Sequence, residues 1–440
     1  MQTETRAPAI NKRTFIGISS FQVLAMFRRG LFYSYLSIYL RFFLGLSVTE
    51  TTFFATFPMI LNIVFQTFVW GGISDRYQRR KTLIILGEIF AAISTFFVWF
   101  AHTIPKSTYT AGYVVIIGLS LVEVFWSMSN VGWTALISDL YPEYERANIQ
   151  GKLASVGAVG RIAGVWIGGL AYDGLSRFYE GWGFHQGLLF FIASGIMLVS
   201  IIPMLFVPEG GTGIPHSTHE RKRFQMFGVL TSCSKQFLIF LLAMVFINFG
   251  RNSIVLIKTQ YLVLDEGFNV SSSLLSYIVN MQSIAILCVG LFIGRLTKQW
   301  RDETLLNIGA LAAIIHLFGF IFARSLPVIF VSNFLAGSSQ VITLAASYAI
   351  ASRLIPAEER AKQFALFNAT LYLSWGIGAT FIAGPIVDIL LRMGIDQTLS
   401  YKMSFVSAIV LVVVGVIILR FVKRPDSCSV EKIPQPHHQA

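Results

Sequence analysis

Arg29 and Arg251 are the residues of this chain best placed to do chemistry, because each sits inside an apolar run long enough to cross a membrane. A guanidinium keeps its charge at any accessible pH. At bilayer depth that charge is costly, so it is rarely kept there without a function. The two arginines lie 222 residues apart (251 minus 29), and their surroundings repeat at the same offset. Phe27 matches Phe249, Tyr39-Leu40 matches Tyr261-Leu262, Gly45 matches Gly267 and Val48 matches Val270. Farther on, Gly72 matches Gly294, Arg79 matches Arg301, and Thr82-Leu83 matches Thr304-Leu305. Two copies of one membrane unit therefore each place an arginine at the same depth. Paired cations facing one cavity make a site for an anion, and the planar guanidinium fork suits two oxygens of a carboxylate or phosphate.

Other residues are candidates to complete such a site. At 1.5 Å per helical residue Arg29 stands roughly 22 Å along its span and Arg161 about 21 Å along another, so three cations converge near mid-membrane. Counting Arg28 and Lys258, five cations face only two carboxylates within the apolar bodies of the spans, Glu88 and Glu123. A surplus of three positive charges in low dielectric calls for a mobile anion. Arg28 is expected to pair with a carboxylate, Glu123 being the candidate, or to snorkel to the interface. Arg161 faces the cavity or forms a structural bridge to Glu123, and Lys258 reaches the outer vestibule or a structural partner. Tyr33, four residues after Arg29, shares its helix face. Asn130, Gln282 and Gln340 offer polar contacts, with Trp126 and Trp375 as walls. Glu123 is the proton-coupling candidate.

The elements that hold these residues follow from composition. The chain of 440 residues is 55% hydrophobic and only 13% charged, with 39 phenylalanines, which marks a polytopic helical membrane protein. Apolar runs predict twelve spans: 14–43, 51–72, 82–103, 110–138, 147–172, 186–207, 236–264, 272–295, 303–323, 327–354, 361–391 and 398–420. Lys and Arg crowd the termini and the even-numbered connections. Only Arg41, Lys106, Arg177, Arg324, Arg392 and Lys402 fall on the other side, so the positive-inside rule puts both termini in the cytoplasm. The expected organisation is a cytoplasmic tail (1–13), a six-helix half (14–207), a cytoplasmic linker (208–235), a second six-helix half (236–423) and a cytoplasmic tail (424–440). A second repeat supports two halves. Pro142-x-x-Glu145-Arg146-Ala147 recurs as Pro356-x-x-Glu359-Arg360-Ala361, and Gly169-x-x-x-Asp173 as Gly384-x-x-x-Asp388. In span 5, Gly157, Gly160, Gly164, Gly168 and Gly169 line one helix face and permit close backbone contact.

The connection after span 2 reads Gly71-Gly72-Ile73-Ser74-Asp75-Arg76-Tyr77-Gln78-Arg79-Arg80-Lys81. With the twelve spans and the internal repeat, it resembles the major facilitator superfamily over nearly the whole chain, except that Gln78 replaces that family's glycine before the basic pair. The second-half counterpart, Gly294 to Arg301, carries no acidic residue at the matching position. The resemblance implies two pseudo-symmetric halves rocking about a midplane site. It also implies a gating role for Asp75, Arg76, Arg79 and Arg80, with the Asp75 carboxylate expected to cap a span 11 helix that begins near Ala361. A mid-span arginine in both span 1 and span 7 is similar to the organophosphate–phosphate antiporter group, in which such a pair grips a phosphoryl oxyanion.

These readings predict a secondary transporter that moves a small organic or phosphorylated anion by antiport or with protons. The rival is a proton-coupled drug exporter using Glu123, against which the surplus of buried cations argues. No nucleophile elbow or phosphate loop appears, histidines are not paired across spans, and Cys233, Cys288 and Cys428 have no framework spacing. An enzyme, a cofactor, a metal and a nucleic-acid partner are therefore not expected. The expected protein is a monomer in the plasma (or bacterial inner) membrane, its partners being the lipid bilayer, the anion and a proton or counter-anion.

Overall fold

Residues 12–141, 143–175, 179–211, 233–356 and 360–422 are described by a computed structural model. Both tails and most of the 208–235 linker lie outside the described residues.

Twelve helical spans form, in the order expected. Span 1 is Lys12–Ile38, prolonged by a π-helical turn at Tyr39–Phe43. Span 2 runs Val48–Phe65, through a π turn at Gln66–Trp70, to Gly71–Tyr77. Spans 3 to 6 are Arg80–His102, Thr108–Leu140, Glu143–Asp173 and Leu188–Leu205. Span 7 has two segments, Lys235–Asn252 and Val255–Val263. Spans 8 to 10 are Ser272–Gln299, Asp302–Phe322 and Leu326–Leu354. Span 11 is Arg360–Gly378, a π turn at Ala379–Ala383 and Gly384–Arg392, and span 12 is Gln397–Leu419. Eleven of the described helices are long and apolar enough to cross a membrane. The twelfth, span 1, carries Lys12, Arg13, Arg28 and Arg29, which lower its hydropathy.

Glycines set the closest helix contact. A Cβ on Gly160 would meet the Val23 carbonyl oxygen at 2.2 Å, one on Gly164 the Phe27 oxygen at 2.0 Å, and one on Gly30 the Arg161 oxygen at 2.5 Å. Any side chain there would push spans 1 and 5 apart. That contact fixes the height of Arg29 against Arg161, so the glycine stripe is a positioning device as well as packing.

The two halves are joined by hydrogen bonds concentrated in the part of the bundle away from the chain termini. Ser37 in span 1 touches Thr259 in span 7, Oγ to Oγ1, at 3.1 Å. Their separation is the 222-residue offset of the repeat, so the pseudo-twofold axis passes between them. Around this pair, Gln260 donates to Thr51 Oγ1 (2.9 Å) and accepts from Tyr401 (3.0 Å), and Thr380 bonds Thr52 and Thr56 (2.7 Å each). Farthest from the termini, two aspartates cap helices of the opposite half. The Asp388 carboxylate accepts Val48 N at 2.9 Å and Thr49 N at 2.8 Å, at the start of span 2. The Asp173 carboxylate accepts Ser272 N at 2.9 Å and Ser273 N at 2.7 Å, at the start of span 8. In each case the helix's own Ser, Ser47 or Ser271, caps the third amide. At least three of the four orphan amides of each helix are thus satisfied, two of them from across the interface. Among the described residues, no hydrogen bond joins the halves at the end carrying the termini.

At that end Gln78 adopts a left-handed backbone (φ 51°), the conformation for which glycine is the usual residue. Arg80 is buried and ties the turn together. It donates to Asp139 Oδ2 at 3.1 Å and to Ser74 Oγ at 2.6 Å, and stands 3.8 Å from Asp75.

Candidate functional site

Span 7 breaks at Ser253–Ile254, between its two segments. An interrupted helix leaves amides and carbonyls without intrahelical partners, which membrane proteins tolerate where the backbone lines a cavity. A cavity is found there. Arg251 and Asn252 line it from the end of the first segment, Ile254, Val255 and Lys258 from the break and the second. Span 5 contributes Arg161, span 8 Gln282, span 10 Ser339 and Gln340, and spans 9 and 11 His316 and Trp375. Three cations face this one space, and none of the residues lining it is a carboxylate. Neither the Arg161 nor the Arg251 guanidinium has a hydrogen-bond or ion-pair partner among the described residues. The sequence places Arg161, Arg251, Gln282 and Gln340 as candidates, and the fold brings all four to this cavity.

Lys258 is 4% exposed. It lies in the cavity wall, where its ammonium donates to Gln282 Oε1 at 3.0 Å and Asn333 Oδ1 at 3.1 Å. The Gln282 amide nitrogen in turn donates to Gln340 Oε1 at 3.1 Å. The Asn252 amide donates to Ser374 Oγ at 2.7 Å, and His316 Nδ1 bonds the Ser332 carbonyl at 2.8 Å. Asn252 and Asn333 escaped the sequence reading. Adjacency to Arg251 was a signal for the first, while the second carried none, being an asparagine in an apolar helix.

The remaining candidates stand apart from this cavity. Arg29 is stacked over the Trp126 ring, its Cζ 4.3 Å from the centroid, and Arg28 is stacked on the same ring at 4.1 Å. Arg29 lies within electrostatic reach of both Glu123 and Arg161, so it borders the cationic centre from the first half. Arg28 is buried and pairs with Glu88 at 3.1 Å, not with Glu123 as expected. The cause is rotation about span 1: Arg28 points toward Glu88 on span 3, to which Ser129 of span 4 also donates at 2.9 Å. Glu123 is buried and accepts from the Asn62 amide, whose oxygen accepts from Gln66 at 2.5 Å. Tyr33 lines a second, smaller cavity with Arg28, Phe32, Thr95 and Met197, within the first half. Asn130 is half-buried in span 4 and does not line the cationic cavity. Asp75 is 62% exposed, and Arg76 and Arg79 are exposed beside it. The side chains at the start of span 11, where the Asp75 cap was expected, lie outside the described residues.

Residues 18–379 match the sequence profile of the Major Facilitator Superfamily. The chain belongs to that superfamily. Among curated proteins compared by sequence, none matches. Solved structures of the same fold include a bacterial homologue of the human lysosomal transporter Spinster in an inward-facing, unoccupied conformation. It is 17% identical, with a TM-score of 0.68 over 94% of this chain and 97% of that one. The nucleoside transporter NupG is 14% identical, with a TM-score of 0.71 over 93% and 99%. A D-xylose–proton symporter is 14% identical, with a TM-score of 0.70 over 94% and 99%. As a member of the superfamily the chain is a multi-pass membrane transporter for a small molecule, not an enzyme.

Proposed function

We propose that this transporter carries a small organic or phosphorylated anion by alternating access, with antiport or proton coupling. The observation carrying the reading is the cavity lined by Arg161, Arg251 and Lys258 with no carboxylate in its wall. Three cations in a poorly solvated space need compensating charge, and an anion entering from water supplies it. The proton-coupled drug exporter, given a cationic drug as substrate, would need the opposite lining. The positive-inside pattern orients the termini to the cytoplasm, the membrane being the plasma or inner membrane. On that orientation the hydrogen-bonded end is the outer gate, closed, and the cavity belongs to an inward-facing state.

The test is a thermal-shift screen of the purified chain against small organic anions and phosphate, beside neutral sugars and nucleosides. Stabilisation by anions alone is the expected result. Since ligand at a hundred times Kd adds about 2.7 kcal/mol, a rise of several degrees is expected. Stabilisation by neutral ligands alone would reject the reading.

Coupling to protons is assigned to Glu123, which is buried, holds the Asn62 amide and sits within reach of Arg29. A carboxylate beside the binding cations senses whether they are occupied. Glu123→Gln is expected to leave substrate exchange running while uptake loses its response to an imposed pH gradient. A gradient response equal to wild type would remove Glu123 from the coupling.

A further inference from the structure

From the polarity of the cavity we infer that its ligand is a dianion, with Lys258 as the residue that selects for the second negative charge. This rests on the anion reading above and narrows it.

An ammonium can only donate, so the oxygens of Gln282 and Asn333 must face Lys258. With its oxygen committed, Gln282 can present only its NH2 to Gln340, which must then accept through its own oxygen. The chain Lys258–Gln282–Gln340 therefore has a forced direction. It ends with the Gln340 NH2, for which no partner is described, on the cavity wall. Lys258 keeps a third N–H beyond the two already used. Arg161 and Arg251 add two guanidinium groups whose donors are unmatched among the described residues. The second segment of span 7 is nine residues long and begins at this wall, so its positive dipole end adds to the same field. The charged groups of the lining and the Gln340 amide thus present donors to the ligand, while the acceptors beside them, Asn252 Oδ1 among them, carry no charge.

Charge sets the number. The wall carries Arg161, Arg251 and Lys258 and no carboxylate, a surplus of three positive charges. A monoanion would leave two of those charges uncompensated, and a dianion one. Lys258 carries the discrimination because amide oxygens hold it in place without neutralising it. A second acidic group on the ligand supplies the counter-charge that the wall withholds. The shared chemistry is two ionised oxygens within a few ångströms, on one phosphorus or on two carboxylates.

The experiment compares matched ligands at pH 7 on the purified full chain by calorimetry. Succinate is set against succinamate, and methyl phosphate, largely dianionic at that pH, against dimethyl phosphate. A dianion preference of about tenfold or more (about 1.4 kcal/mol) in at least one pair is expected, and the pair showing it identifies which chemistry the site takes. In Lys258→Gln, which keeps a hydrogen-bonding side chain but removes the charge, most of that preference disappears. Monoanions and dianions binding wild type equally would overturn the dianion assignment while leaving the anion reading standing. Failure of all four to bind would overturn both. A preference that survives undiminished in Lys258→Gln would remove Lys258 as the selecting residue, and the wild-type comparison holds even if that variant does not fold.

Discussion

Arg251→Lys is expected to cut substrate transport at least about thirtyfold while leaving insertion and melting temperature close to wild type. The Arg251 side chain makes no hydrogen bond or ion pair among the described residues, so the fold does not depend on it. Lysine keeps the positive charge but gives up the planar fork, and with it one of two parallel bonds to a carboxylate or phosphate. Disrupting a desolvated charged contact costs about 2–5 kcal/mol, and each 1.4 kcal/mol is about tenfold. Arg29→Lys is expected to impair transport as well, through the other half of the site. There the guanidinium also stacks on Trp126, a contact an ammonium keeps only in part. Uptake into proteoliposomes at matched protein density is the measurement. If both lysine variants transport at the wild-type rate, the arginine pair does not bind substrate.

The double variant Asp173→Asn, Asp388→Asn is expected to open the gate at the end away from the termini. Each aspartate accepts two backbone amides from a helix start in the opposite half, where the helix dipole favours a carboxylate. Asparagine has the same shape, but it loses the charge and turns an NH2 toward amides that also donate. A charge-assisted cap of this kind is worth about 1–2 kcal/mol, so both together shift the conformational equilibrium by roughly thirtyfold to several hundredfold. Spin labels at Lys106→Cys and Arg324→Cys, both exposed at that end, read the change, with Cys233, Cys288 and Cys428 replaced. A longer-distance population should appear in the double variant and be smaller in either single one.

Asp75→Asn is expected to act in the opposite direction. If its carboxylate caps span 11 when the cytoplasmic end closes, losing it destabilises the outward-facing state by about 1–2 kcal/mol, a five- to thirtyfold shift toward inward-facing. Turnover should fall with little change in substrate affinity. Distance distributions that do not move in the double variant would show that the aspartates seal nothing, and unchanged turnover in Asp75→Asn would leave its loop a topological signal.

The sequence by itself determined the number and order of the spans, the two-fold repeat, the superfamily and the place of the cations along the chain. Those properties depend on hydropathy and spacing, which a single helix displays without its neighbours. The glycine stripe of span 5 was legible for the same reason, since a four-residue spacing lies on one face whatever packs against it. The caps between the halves were half legible. The Gly-x-x-x-Asp repeat marked Asp173 and Asp388 as equivalent, but that each caps a helix of the other half depends on how the halves dock.

Tertiary structure alone decided which charges pair. Arg28 and Arg29 are neighbours about 100° apart on one helix; both stack on Trp126, and only the rotation of span 1 gives the first to Glu88 and turns the second toward the cationic centre. Lys258 shows the same limit more sharply. Counted along the helix it lies well toward the end of span 7 away from the termini, yet its ammonium lies in the cavity wall beside Gln282 and Asn333. A helix break at a cavity is stabilised by what surrounds it, so neither the break nor the site that it completes can be read from the span in which it occurs.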